Sequence, residues 1–243
     1  MKNTLSLLVI AVLLFASCRE KEPVVIVIEN AVTDYDGNTY DAVQIGKQVW
    51  MKENLRTTHY ADGTPLDDNQ YYLVEEPFNA PEEYGYLYID DAAALGGSQS
   101  NDASGSVQGI CPDGWHLPSK YEWLILHRYV EQFTDDVVGA LCAPVGWGPD
   151  TNGIHDQEDI NSFGFSALPS RKMEYYSYSK PVASFWTSTA YETDASHPPV
   201  VHYYDMAVLD YYSNYQFEFW RYQGHFPAAS VRCVRDKATG NRH

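Results

Sequence analysis

Two kinds of chemistry-bearing cluster stand out in the chain. Asp150, Asn152, Asp156, Glu158 and Asp159 gather oxygen donors within ten residues, the crowd of hard ligands that Ca2+ requires. The simpler reading is a solvated acidic loop in a chain that carries 33 acidic against 16 basic side chains and a formal charge of −17. A second acidic group, Asp34, Asp36, Asn38 and Asp41, lacks calcium-loop spacing. An EF-hand loop needs glycine at its sixth position, and Gly37 stands fourth, so these residues read as a turn. The other cluster is aromatic: ten rings lie in the twenty-four residues from Tyr203 to Phe226. Of these, Tyr204, Tyr211, Tyr212, Tyr215, Trp220 and Tyr222 are the candidate ligand-binding residues, since a ring with a polar edge stacks on a flat ligand and hydrogen-bonds beside it. The competing use is cementing the strands of a loop-rich fold.

Catalytic groupings are sparse. A nucleophile needs a base within reach, and the chain has neither Gly-x-Ser-x-Gly nor His-Glu-x-x-His. His116 and Glu122 could form an acid–base pair, but Glu122 stands three residues after Ser119, where it completes a helix capping box. Paired carboxylates for glycoside hydrolysis depend on a tertiary separation, and a hydrolase therefore stays a minor alternative. No catalytic residue is assigned. Nucleic acid is excluded as a partner, because counterion release needs clustered Lys and Arg and the chain's field repels phosphate.

The elements that must position these groups follow from local pattern. Val24 to Ile28 is a β-branched run, and Asp36-Gly37 forms a turn before Thr39, which is a hairpin signal. Val43, Ile45 and Gln48 to Met51 continue as strand. Residues 96–109 are small and polar and read as an exposed loop. Ser119 caps a helix whose Trp123, Leu126, Val130 and Phe133 share one face. A short second helix is expected from Thr134 through Leu141. The chain is then loop-rich to about Ser166, with several strands over residues 182–236. Strands, helices, a long loop and strands again, without βαβ alternation, predict an α+β fold with a mainly antiparallel sheet.

The N-terminus reads as an address. Lys2 precedes an apolar run from Leu7 to Phe15 that is too short to span a bilayer. Phe15-Ala16-Ser17-Cys18 resembles a bacterial lipoprotein processing site, which implies a signal peptide over 1–17, lipidation of Cys18 and a tether over 18–32. Such a protein sits in the outer membrane, on its periplasmic or cell-surface face. With Cys18 lipidated, Cys111, Cys142 and Cys233 are an odd number in an oxidising compartment.

Three stretches then carry a family resemblance: Thr33 to Asn38 with Ile45-Gly46-Lys47-Gln48-Val49-Trp50-Met51-Lys52-Glu53-Asn54-Leu55, Cys111-Pro112-Asp113-Gly114-Trp115-His116-Leu117-Pro118-Ser119 with Glu122-Trp123, and Ser230-Val231-Arg232-Cys233-Val234-Arg235-Asp236. Phe165 to Pro169 and Phe185 to Thr189 lie between them. This pattern resembles the Fibrobacter succinogenes major paralogous domain over residues 33–236, leaving 237–243 as a tail. The resemblance implies an extracytoplasmic module with a Cys111–Cys233 disulfide and leaves Cys142 as a buried thiol. More distantly, the His116-to-Ser119 and Val231-to-Cys233 landmarks resemble the C-type-lectin-like and formylglycine-generating-enzyme folds. Those families' calcium–sugar tripeptides are absent, and only Cys233 stands near the C-terminus, so neither activity transfers with the fold. The function expected is a lipid-anchored, non-catalytic envelope module that binds a glycan or an envelope protein, or else serves as a structural part of a surface assembly.

Overall fold

The computed structural model describes residues 23–73, 84–89, 107–147, 160–175, 178–190, 204–210, 216–221 and 228–236. Its centre is a four-stranded antiparallel sheet in the order β1 (Ile26–Thr33), β2 (Thr39–Ile45), β3 (Gln48–Met51) and β11 (Val234–Asp236). The β1–β2 hairpin closes at Thr33 opposite Thr39, around the expected Asp-Gly turn. The β2–β3 turn is tighter still. Gly46 has φ 62, and a Cβ there would come within 2.9 Å of the Tyr129 ring, so both conformation and space demand glycine.

Alternation along these strands builds two cores, one on each face. Tyr40, Ala42, Val49 and Met51 point to the first, where they meet Tyr88, Trp115, Leu117, Trp186, Val231 and Cys233. Val43, Ile45, Trp50 and Val234 point to the second. The short sheet β10 (Ala228–Ala229), β5 (Tyr86–Ile89), β4 (Tyr71–Leu73) contributes to the first core. The third sheet, β6 (Arg171–Tyr175), β7 (Tyr178–Ala190), β8 (Tyr204–Asp210) and β9 (Gln216–Arg221), is antiparallel throughout. Its β7 serves both cores, Trp186 entering the first and Phe185 the second.

The helices cover the second core. α1 (Lys120–Val130) starts with the predicted capping box: Glu122 N–H donates to the Ser119 hydroxyl, and the Glu122 carboxylate accepts from Ser119 N–H at 2.8 Å. Trp123, Leu126 and Val130 are its buried face. Phe133, expected as the next turn of that face, instead follows the helix end. There Phe133 N–H donates back to Val130 O at 2.9 Å, tightening the chain, and its ring still packs on Tyr129 and Phe163. α2 (Val137–Leu141) is shorter than expected because Asp136, not Thr134, caps it, accepting from Gly139 N–H at 2.8 Å. The architecture is α+β with mainly antiparallel strands. Cys111 and Cys233 form a disulfide with Cα atoms 5.9 Å apart. Cys142 is a buried free thiol whose pKa is pushed well up by burial.

Candidate functional site

Several chemistry-bearing residues hold the fold together. Arg232 is fully buried, and no carboxylate among the described residues lies within ion-pair distance of it. Its Nε donates to Asn54 Oδ1 at 3.1 Å, its Nη atoms reach Asn54 Oδ1 and the carbonyls of Phe165 and Ser166, and its guanidinium lies 4.7 Å from the Phe165 ring centre. Burial pushes the Arg232 pKa down to about 9, against the pull of the Glu53 carboxylate. Asn54 in turn donates to Tyr84 O at 2.9 Å and to Ser230 Oγ at 3.3 Å. His116 Nε2 and Glu122 Oε1 are 2.6 Å apart, while Glu122 Oε2 accepts from both the N–H and the hydroxyl of Ser119. Burial would raise the Glu122 pKa, but the His116 and Ser119 hydrogen bonds outweigh it and hold the carboxyl below its ordinary value. The pair fixes the helix start to the strand-like segment that leads to it.

The acidic turn resolves the same way. Asp34 accepts from Asn38 N–H and Asn38 Nδ2 at 2.9 Å each and from Tyr40 O–H at 2.6 Å, and Asp41 accepts from Asn30 N–H. Among the described residues no three His, Cys, Asp or Glu side chains converge on a point where a metal would sit. These contacts place Asp34, Asn38 and Asp41 within the hydrogen bonding of the β1–β2 hairpin itself.

Asp36 does more than shape its turn. It reaches across to residues 57–59, accepting from Thr58 N–H at 2.5 Å, Thr58 Oγ1 at 2.9 Å, Thr57 Oγ1 at 3.1 Å and His59 Nδ1 at 2.5 Å. Burial raises its pKa, yet these four donors together hold the carboxyl below its ordinary range. Because a carboxylate only accepts, Nδ1 of His59 carries a proton, and the contact fixes the direction in which Nε2 points. The His59 and Asp36 side chains are 32% and 22% exposed. The exposed Tyr35 ring lies 5.3 Å from the imidazole and packs over Gly63, where a Cβ would fall 2.6 Å from the ring. The result is an oriented imidazole beside an accessible aromatic plate, on loops locked by one carboxylate. Sequence reasoning missed it, because Asp36 and His59 are 23 residues apart; the only signal was Thr57-Thr58-His59-Tyr60, polar and aromatic groups in a turn-rich stretch.

A further set of rings, Tyr60, Tyr71 and Tyr86, is partly buried against the first core, with Tyr71 and Tyr86 centroids 5.0 Å apart. Of the predicted ligand residues, Tyr204 stands in β8 opposite Ala190 and Trp220 in β9 opposite Met206. Phe217 and Phe219, their neighbours in the aromatic run, pack on the α1 side, Phe217 lying 6.0 Å from Trp123. Tyr211, Tyr212, Tyr215 and Tyr222, the acidic cluster Asp150, Asn152, Asp156, Glu158 and Asp159, and Cys18 lie outside the described residues. Among the described residues no helix is long and apolar enough to cross a membrane.

The motif stretches of the sequence thus meet one another: Asn54 with Arg232 and Phe165-Ser166, and Gln48, whose Nε2 donates to Glu122 O at 3.1 Å. Residues 43–235 match the model of the Fibrobacter succinogenes major domain. The chain belongs to that family. No curated protein and no solved structure matches it. In this Fibrobacter succinogenes major domain many residues of those stretches join loops to the central sheet, whereas Tyr35, in the first stretch, is exposed, and His59 lies outside all of them.

Proposed function

We propose that the protein is a non-catalytic binding module of the cell envelope, anchored to the outer membrane through lipidated Cys18, whose ligand is a glycan. The observation that carries this reading is the Tyr35–His59–Asp36 arrangement. A sugar offers a C–H face that stacks on an aromatic ring and hydroxyls that need donors and acceptors with fixed direction. Tyr35 supplies the ring, His59 Nε2 a polar atom of fixed direction, and Asp36 with Thr57 and Thr58 the rigidity that keeps ordering entropy from opposing binding. The disulfide accords with an oxidising compartment. The antiparallel strands with two helices are compatible with a C-type-lectin-like fold, which we put forward as the family's wider kinship. The Tyr204, Tyr211, Tyr212, Tyr215, Trp220 and Tyr222 region is proposed as a second contact surface, and the Asp150-to-Asp159 cluster as a calcium loop.

Full-length protein in detergent, screened on a glycan array in calcium and again in chelator, tests the reading. The expected result is binding that Tyr35→Ala and His59→Gln each weaken by about tenfold or more. Loss in chelator and in Asp156→Ala with Glu158→Ala would transfer the site to the acidic loop. Binding indifferent to all of these but lost in Trp220→Ala would transfer it to the C-terminal strands. No binding in either buffer would reject a glycan among the sugars tested and favour an envelope protein as partner.

A further inference from the structure

β1 is the outer strand of the central sheet, and among the described residues β2 is its one strand neighbour. Among the described residues no strand pairs with its other side, the arrangement onto which a further strand adds. Val25, just before β1, and Ile28 within it pack against the two cores, whereas Val24, Ile26 and Val27 are 70%, 44% and 46% exposed. Exposure of both Ile26 and Val27, successive residues on opposite faces, shows that the strand projects with both sides open. The regular edge is short. A register shift between Ile28 and Val32, with Asn30 at φ 49 and its N–H taken by Asp41, ends it.

We propose that this edge pairs with the same edge of a second copy, antiparallel about a two-fold axis beside Ile26 and Val27. The argument for a second copy is charge. In a chain of net charge −17 most surfaces of two copies repel, but Pro23 to Ile28 carry no charged side chain at all. A two-fold contact sets like against like, which this stretch permits and a charged edge would not. The tether adds a geometric condition and rests on the lipid anchor proposed above. Four residues separate Cys18 from Pro23, five Cα-to-Cα steps that reach at most about 18 Å, so every copy keeps β1 close to the leaflet. An antiparallel pair lying flat, with its axis along the membrane normal, lets both tethers reach down. So short a strand contact is weak in solution, and confinement to one membrane supplies the effective concentration it needs.

The test is cross-linking of full-length protein in cell membranes. Directly opposed residues of an antiparallel pair bring Cα atoms within disulfide distance. Ile26→Cys or Val27→Cys should therefore form a covalent dimer on mild oxidation about tenfold faster, or more, than Asp68→Cys, an exposed control. Adding Val24→Lys to Ile26→Cys should slow that rate toward the control. Equal rates at all three sites, or no dimer, would overturn the proposal. Fractionation of the same cells separates this from the anchoring reading: protein absent from membranes refutes the anchor, while protein in membranes without preferential cross-linking refutes the edge contact alone.

Discussion

The two faces of the central sheet are packed by different chemistry. On the helix side the rings are Trp50, Trp123, Trp147, Phe163, Phe165 and Phe185, with Trp123 within 6 Å of Trp50, Phe165, Phe185 and Phe217. On the loop side, tyrosine is prominent: Tyr40 and Tyr88 are fully buried, with Tyr60, Tyr71 and Tyr86 around them. Helices satisfy their own backbone groups, so what packs against them needs only bulk. Loops do not. Tyr88 O–H donates to Thr57 O at 2.9 Å, and Tyr40 O–H donates to Asp34 while its oxygen accepts from Arg56 N–H at 3.0 Å. Burial drives both phenol pKa values far up, which keeps the hydroxyls protonated as donors. Part of the tyrosine excess is therefore the loop side's substitute for secondary structure. The loop side also holds the disulfide.

The largest effects should come from groups joining the two sides. Arg232→Ala leaves Asn54 Oδ1 and the buried Phe165 carbonyl without their donor and opens a cavity between Phe165 and Phe185, at a cost of about 5 kcal/mol. Urea unfolding checks this, and Arg232→Met should recover the volume without the hydrogen bonds. Next comes the disulfide, whose ends are 122 residues apart. Replacing both cysteines with serine frees a long loop in the unfolded chain and should cost about 4 kcal/mol. That loss should appear equally on adding reductant to the unaltered protein.

How much of this was legible follows the same division. The hairpin at Asp36-Gly37, the capping box at Ser119 and Glu122, and the helix face Trp123, Leu126, Val130 are local patterns and could be read directly. The second helix was overextended because Thr134 and Asp136 both resemble caps, and only packing selects between them. Phe133 kept its apolar contact but lost its helical position, since periodicity reports which residue is buried and not how the backbone brings it there. The Asp36–His59 contact and the Asn54–Arg232 contact, 178 residues apart, were invisible: nothing in a sequence says which loops will be neighbours. In the aromatic run, Phe217 and Phe219 pack partly buried against the helix-side core, the cementing use that such a run of rings suggests.

Smaller substitutions sharpen the contrast between hydroxyl-dependent and bulk-dependent packing. Tyr88→Phe keeps the ring and strips Thr57 O of its buried donor, so it should cost about 1.5 kcal/mol. Tyr129→Phe, on the helix side and stacked on Phe133 and Phe163, should cost less than about 0.5 kcal/mol. Equal costs in thermal unfolding would mean that hydroxyl satisfaction does not distinguish the two sides.

Glu122 lets charge be separated from capping. Its folded pKa lies below the ordinary 4.5, so its contribution is fully present above that value and is lost as pH falls through the lowered folded pKa. Asp36, likewise lowered, contributes in the same direction, so acidification should destabilise the protein through both. Glu122→Gln keeps a side-chain oxygen for Ser119 N–H, because glutamine also completes a capping box, but removes the charge facing His116. It should therefore cost about 1 kcal/mol at pH 7 and flatten the fall in melting temperature below pH 4.5. Asp36→Asn, which leaves the helix cap intact, should remove a further part of the slope while loosening residues 57–59. If Glu122→Gln lowered stability by the same amount at every pH, the carboxylate would be acting through cap geometry alone, and the His116 contact would carry no charge-dependent share of the helix start.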